Sequence, residues 1–84
     1  MEVFFTPKFI KQYSKLENDL KEEVKEKIEL FKYKKNHKNL KVHKLKGDLK
    51  KNFSFSVNYQ IRIVFKKEND NYYLLTIGDH DIYK

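Results

Sequence analysis

Cysteine and tryptophan are missing from this 84-residue sequence, proline occurs once, glycine twice, and arginine once among nineteen basic residues. Without cysteine the chain cannot be a disulfide scaffold or hold a thiolate zinc site, which fits a reducing cytoplasm. Gly47 and Gly78 are too few for a loop that cradles phosphate with backbone amides, and no G-x-S-x-G elbow is present. Three histidines without ligand spacing, beside isolated aspartates, do not read as a metal site. No apolar run exceeds a few residues, so neither a membrane span nor a secretory segment is expected. At this length a single domain over 1–84 is expected, with seven Phe and six Tyr as bulky core material.

What is abundant is positive charge, and it is unevenly placed. The formal net charge is +7. Residues 1–35 carry nine basic and seven acidic side chains, residues 36–67 nine and one, and residues 68–84 one and four. Lys41, Lys44, Lys46, Lys50 and Lys51 cluster in the middle third with only Asp48 among them. Such a segment attracts a polyanion, and phosphate backbones are the commonest one inside cells.

The hydrophobic period changes along the chain. Met1–Phe5 reads as a short strand, and Thr6-Pro7 as a cap and first turn of a helix over Pro7–Glu17, with Phe9, Tyr13 and Leu16 on one stripe. Asp19 with Glu22 suggests a capping box that opens a second helix, whose stripe is Leu20, Val24, Ile28 and Phe31 and whose end frays around Tyr33–Asn36. After Asn39 the period becomes two. Leu40–Leu45, Asn52–Asn58, Gln60–Lys66 and Tyr72–Ile77 read as four strands of an antiparallel meander, punctuated at Lys46-Gly47-Asp48, Asn58-Tyr59-Gln60 and Glu68–Asn71. The expected class is α+β: a short N-terminal strand and a helical hairpin packed on one face of a four-stranded meander. Parity puts Phe53, Phe55 and Val57 on the helix side. It leaves Ser54, Ser56, Arg62, His43 and Lys41 for an open, phosphate-attracting face.

Arg62 lies between Ile61 and Ile63 in mid-strand, so its guanidinium is expected in an internal ion pair, snorkelling out from the strand, or turned to a ligand as a bidentate fork. His80, between Asp79 and Asp81, has a titration range suited to proton transfer or is a polar tail residue. His43 is a second acid/base candidate or a plain strand residue, and His37 is expected in solvent.

The order strand, helical hairpin, meander, together with Leu40-Lys41-Val42-His43-Lys44-Leu45-Lys46-Gly47, Phe53-Ser54-Phe55-Ser56-Val57, Arg62-Ile63-Val64-Phe65 and Ile77-Gly78-Asp79-His80-Asp81-Ile82-Tyr83, resembles the RelE/ParE superfamily of toxins. The likeness spans the chain and is nearest to the RelE/StbE and YafQ-like branches. It implies the toxin of a type II toxin–antitoxin pair: a cytoplasmic, metal- and cofactor-independent endoribonuclease that cuts mRNA at the ribosome and is neutralised by a cognate antitoxin. By the resemblance, Arg62 clamps the scissile phosphate, and His80 and His43 share the acid and base roles. Tyr83 is the terminal aromatic that stacks on a base or hydrogen-bonds the phosphate, and Lys44 and Lys46 neutralise RNA, a task the charge clustering extends to Lys41, Lys50 and Lys51. The sequence departs from these branches at Ser54, Ser56 and Gln60, where the branches carry lysines, a further histidine or an acid. Two alternatives stand beside this reading: a ParE-like inhibitor of DNA gyrase, and a basic RNA-binding domain without catalysis.

Overall fold

The computed structural model describes residues 2–46 and 52–79. The assignments made above to Lys50, Lys51, His80 and Tyr83 lie outside the described residues.

Strand β1 (Val3–Phe5) leads into α1 (Pro7–Ser14), α2 (Asn18–Phe31) and a 3-10 turn at Lys34–Asn36. Strands β2 (His43–Lys44), β3 (Phe53–Ser56), β4 (Arg62–Glu68) and β5 (Asn71–Gly78) follow. They form one five-stranded sheet in the order β1-β5-β4-β3-β2. The meander is antiparallel as expected, and β1 adds a parallel fifth strand with Val3 opposite Tyr72 and Phe5 opposite Leu74. No helix among the described residues is long and apolar enough to cross a membrane.

Local chemistry explains most element boundaries. Thr6 caps α1, its hydroxyl accepting from the Phe9 amide at 3.3 Å and donating to the Leu74 carbonyl at 2.8 Å, with Pro7 at the first helical position. The first helix stops at Ser14 rather than Glu17, and the second is entered through Glu17 without a side-chain cap, so the Asp19 box is not formed. Asn69 and Asp70 both take positive φ (58° and 84°), the two-residue geometry whose twist suits a tight hairpin between β4 and β5.

The first strand of the meander is much shorter than Leu40–Leu45. Residues 37–41 turn instead, through Lys41 N–H to the Lys38 carbonyl (3.1 Å) and Val42 N–H to the His37 carbonyl (3.0 Å), with Lys41 at φ 59°. Lys41 therefore shares no sheet face with His43, contrary to the parity argument.

The core lies between the helices and one sheet face. Phe31, fully buried, stacks on Phe55 (centroids 4.3 Å apart) and meets Phe65 (4.7 Å) and Tyr72 (4.9 Å). Phe9, Val24, Ile28, Leu40, Ile63, Leu74 and Ile77 complete the cluster. His37 is not in solvent: its ring stacks on Phe31 at 4.8 Å and its Nε2 donates to the Phe31 carbonyl at 2.8 Å, satisfying a helix-end acceptor. A register shift between Val64 and Phe65 lets Phe65 pair with Leu74 and keeps both on the helix side. Past the end of β1, the α1 side chain of Gln12 covers the β5 edge, its Oε1 accepting from the Ile77 amide and the Thr76 hydroxyl at 2.9 Å each. The second sheet face is not open at its centre, since Ser54 (0% exposed) and Val64 (3%) are buried there.

Candidate functional site

Arg62 opens β4 directly after the β3–β4 connection, where Asn58 shapes the chain. Asn58 Oδ1 accepts from the Gln60 and Ile61 amides (2.9 Å each), closing an Asx turn, and its Nδ2 donates to Glu23 Oε1 on α2 at 2.7 Å. The Asn58 carbonyl in turn accepts from Arg62 Nη1 at 2.6 Å, with the Tyr59 and Ile61 carbonyls farther off at 3.3 and 3.4 Å. One nitrogen of the fork is thus held by its own turn. No carboxylate among the described residues pairs with Arg62. Among the described residues Nε and Nη2, the edge that a bidentate oxyanion would take, make no hydrogen bond.

The half-buried arginine lines a hollow of about 450 Å³ between α2, the turn at Lys41 and the β3–β4 connection. Lys27 from α2 and Lys41 line it too, with Ser56, Asn39, Asn58 and Tyr59. Three cations therefore converge with no carboxylate among the described residues of the lining, the nearest one named being Glu23, bonded to Asn58. A lysine held in the left-handed region gives up roughly 1–2 kcal/mol relative to a right-handed residue, so Lys41 occupies its place at a conformational cost. Tyr59 is 88% exposed and offers a free aromatic surface on the rim.

Of the residues singled out in the sequence, the fold brings Arg62 and Lys41 together. His43 stands apart: it pairs across the sheet with Ser54, which pairs with Val64, two residues beyond Arg62. That register separates the two backbones by about 10 Å across the sheet and about 7 Å along it. His43 is exposed, and its Nδ1 donates to the Lys41 carbonyl at 2.9 Å. Because a carbonyl only accepts, Nδ1 is the donor in this bond, as it can be in the neutral Nδ1–H tautomer and in the imidazolium alike. Lys44 and Lys46 are exposed and outside the lining. Sequence reasoning missed Lys27, whose helix is amphipathic without marking one lysine from another, and Tyr59, one more aromatic among thirteen until the turn fixes it beside Arg62.

A larger hollow of about 720 Å³ lies between α1 and α2, with Phe5, Phe9, Ile10, Tyr13 and Ile28 as its floor. Glu22, Glu26 and Glu29 outnumber Lys25 and Lys32 on its rim, so it does not suit a phosphate. Among the described residues no group of three or more His, Cys, Asp or Glu could hold a metal ion.

No known family's sequence profile matches the chain, and no characterised protein matches it by sequence. Solved structures do match. YafQ from E. coli superposes with a TM-score of 0.79 at 14% identity, over 96% of this chain and 94% of that one. YoeB in the YoeB-YefM complex from Staphylococcus aureus gives 0.73 at 17% identity, over 93% and 94%. A chain of the toxin-antitoxin complex RelBE2 from Mycobacterium tuberculosis gives 0.72 at 17%, over 94% and 96%. The architecture built up above, two helices against a five-stranded sheet, is therefore the RelE-like toxin fold.

Proposed function

We propose that this chain is the toxin of a toxin–antitoxin pair and acts as an endoribonuclease on mRNA at the ribosome. The observation that carries the reading is the hollow in which Arg62, Lys27 and Lys41 meet with no carboxylate among its described lining residues, beside an exposed tyrosine, on a fold shared with YafQ and YoeB. In the proposed reaction a base removes the proton of a ribose 2′-OH and the 2′-oxygen attacks the adjacent phosphorus. The bond from phosphorus to the 5′-oxygen breaks as an acid protonates that oxygen, leaving a 2′,3′-cyclic phosphate and a free 5′-OH.

Each described residue has a task in this scheme. The Nε and Nη2 edge of Arg62 holds the phosphate and meets the charge that grows on it, while Lys27 and Lys41 draw the strand in. Tyr59 stacks on a base next to the cleaved linkage. His43, joined to the hollow through its bond to the Lys41 carbonyl, and His80 supply the proton transfers, and Tyr83 contacts the nucleotide. Lys44, Lys46, Lys50 and Lys51 steer RNA toward the site. A cognate antitoxin with an acidic segment neutralises the toxin by covering the cationic hollow.

The test is cleavage of mRNA by wild type, Arg62→Ala and His80→Ala, with mapping of new 5′ ends and a thermal melt of each protein. Loss of one preorganised charge lowers the cleavage rate by about 10²–10³-fold. Both variants should lose cleavage at that level and still melt cooperatively. Intact mRNA with broken DNA in cells producing the wild-type protein would point to gyrase and end the ribonuclease reading.

A further inference from the structure

A second cationic hollow, of about 520 Å³, opens at the other end of β4, where Lys34 and Lys35 follow α2 and Lys67 rises from the sheet. Lysines after a helix complement its C-terminal dipole and need no other reason to be there. Lys67 has no such reason, because it comes from a strand and reaches the same hollow from the opposite layer. Lys34, Lys35 and Lys67 form no ion pair among the described residues. Lys32, also in the lining, pairs with Glu29 at 3.0 Å, and Asp70 is the one carboxylate among the described residues of the lining. Tyr33 stands here 62% exposed on extended backbone, while the neighbouring ring of His37 is spent on Phe31.

The two hollows are joined by a stretch of one sign. From Tyr33 to Lys46 the chain holds no acidic residue, and Lys38 and Lys41 lie along it, both exposed. Arg62 and Lys67 stand five residues apart on one strand, about 17 Å along it. An odd separation sets their side chains on opposite faces, so a path between the hollows would follow the 33–46 segment rather than the strand. Cations spaced over that length, with an exposed aromatic at each end (Tyr59 and Tyr33), match an extended single strand, whose backbone tracks charge while its bases stack. A duplex has its bases already stacked and offers neither tyrosine a partner.

We infer that the hollow beside Tyr33 is a second contact for single-stranded RNA, and that the strand held at Arg62 continues along 33–46 to reach it. The inference rests on the RNA-cleaving reading and extends it from one linkage to several nucleotides. The test is binding of a 2′-O-methylated octanucleotide and the matching dinucleotide, neither of which can be cut, over a range of salt. The triple variant Lys34→Gln/Lys35→Gln/Lys67→Gln should lower the salt slope for the octanucleotide by about 2 and leave dinucleotide binding unchanged. Tyr33→Ala should weaken octanucleotide binding about tenfold, and Tyr33→Phe should restore it. Arg62→Ala should weaken both ligands. If the triple variant binds the octanucleotide as wild type does, the second contact is wrong and the Arg62 site stands. If Arg62→Ala changes neither ligand, the cleavage reading itself fails. If an acidic peptide competes at the second hollow and Tyr33→Ala changes nothing, the surface belongs to a protein partner and the inference is overturned.

Discussion

Phe31 and Arg62 each sit at the centre of a gathering of like residues, and they are held in opposite ways. Around Phe31 the neighbours attract: Phe55, Phe65, Tyr72 and His37 all lie with ring centroids under 5 Å from Phe31 or pack on those rings. Around Arg62 the neighbours repel, and what keeps Lys27 and Lys41 close is the backbone that carries them. A fold stabilised by the first gathering can spare the second, so stability and RNA handling should separate by mutation.

The largest expected effect breaks the aromatic side. Phe31→Ala removes the ring all the others touch and should cost about 3–5 kcal/mol, a fall in Tm of at least ~12 °C by calorimetry. A variant melting near wild type would mean the cluster is not what holds the helices to the sheet. Asn58→Ala tests the joint between the two regions. It deletes the Asx turn and the bond to Glu23, so a loss of about 1–2 kcal/mol in urea unfolding should accompany slower cleavage, because Arg62 leans on that turn. Lys27→Gln sharpens the contrast from the cationic side: Tm should stay as it is while the salt slope of RNA binding falls by about 0.7.

The smallest effect is alkaline. Burial raises the Tyr72 hydroxyl above the ordinary tyrosine range, and the Asp70 charge adds to it. Both states keep the proton below pH ~10. Above that the unfolded chain releases it first, so stability falls as pH rises until the folded group ionises as well. Tyr72→Phe should lose less stability than wild type over that alkaline interval in denaturant titrations. An identical decline in the two proteins would show that Tyr72 does not titrate with folding.

The aromatic side was legible in the sequence and the cationic side only in part, for physical reasons. Alternation at Phe53-Phe55 and Ile61-Ile63 fixes which strand faces meet the helices, and the stripe Val24, Ile28, Phe31 fixes what meets them, because burial imposes a period. Charged residues carry no such period, so nothing marked Lys27 out from the other lysines of its helix. Lys41 was misplaced because a local turn with positive φ overrode the two-residue alternation around it. His37 looked solvated because its packing on Phe31 depends on a 3-10 turn that propensity does not specify. The partnership of β1 with β5 was also hidden, since a parallel pair has no hairpin to announce it.

That pairing governs when the molecule can become whole. The Tyr72 amide bonds the Glu2 carbonyl at 2.8 Å, and the neighbouring contact between Glu2 and Asn71 spans 69 positions. Synthesis delivers β1 first and β5 last, and contacts of such long range form late and slowly. The N-terminal strand must therefore wait, with Phe4 and Phe5 uncovered, until nearly all the described chain has left the ribosome. The site proposed above for cleavage, whose Arg62 stands on the strand beside β5, would stay unformed until that last pairing closes.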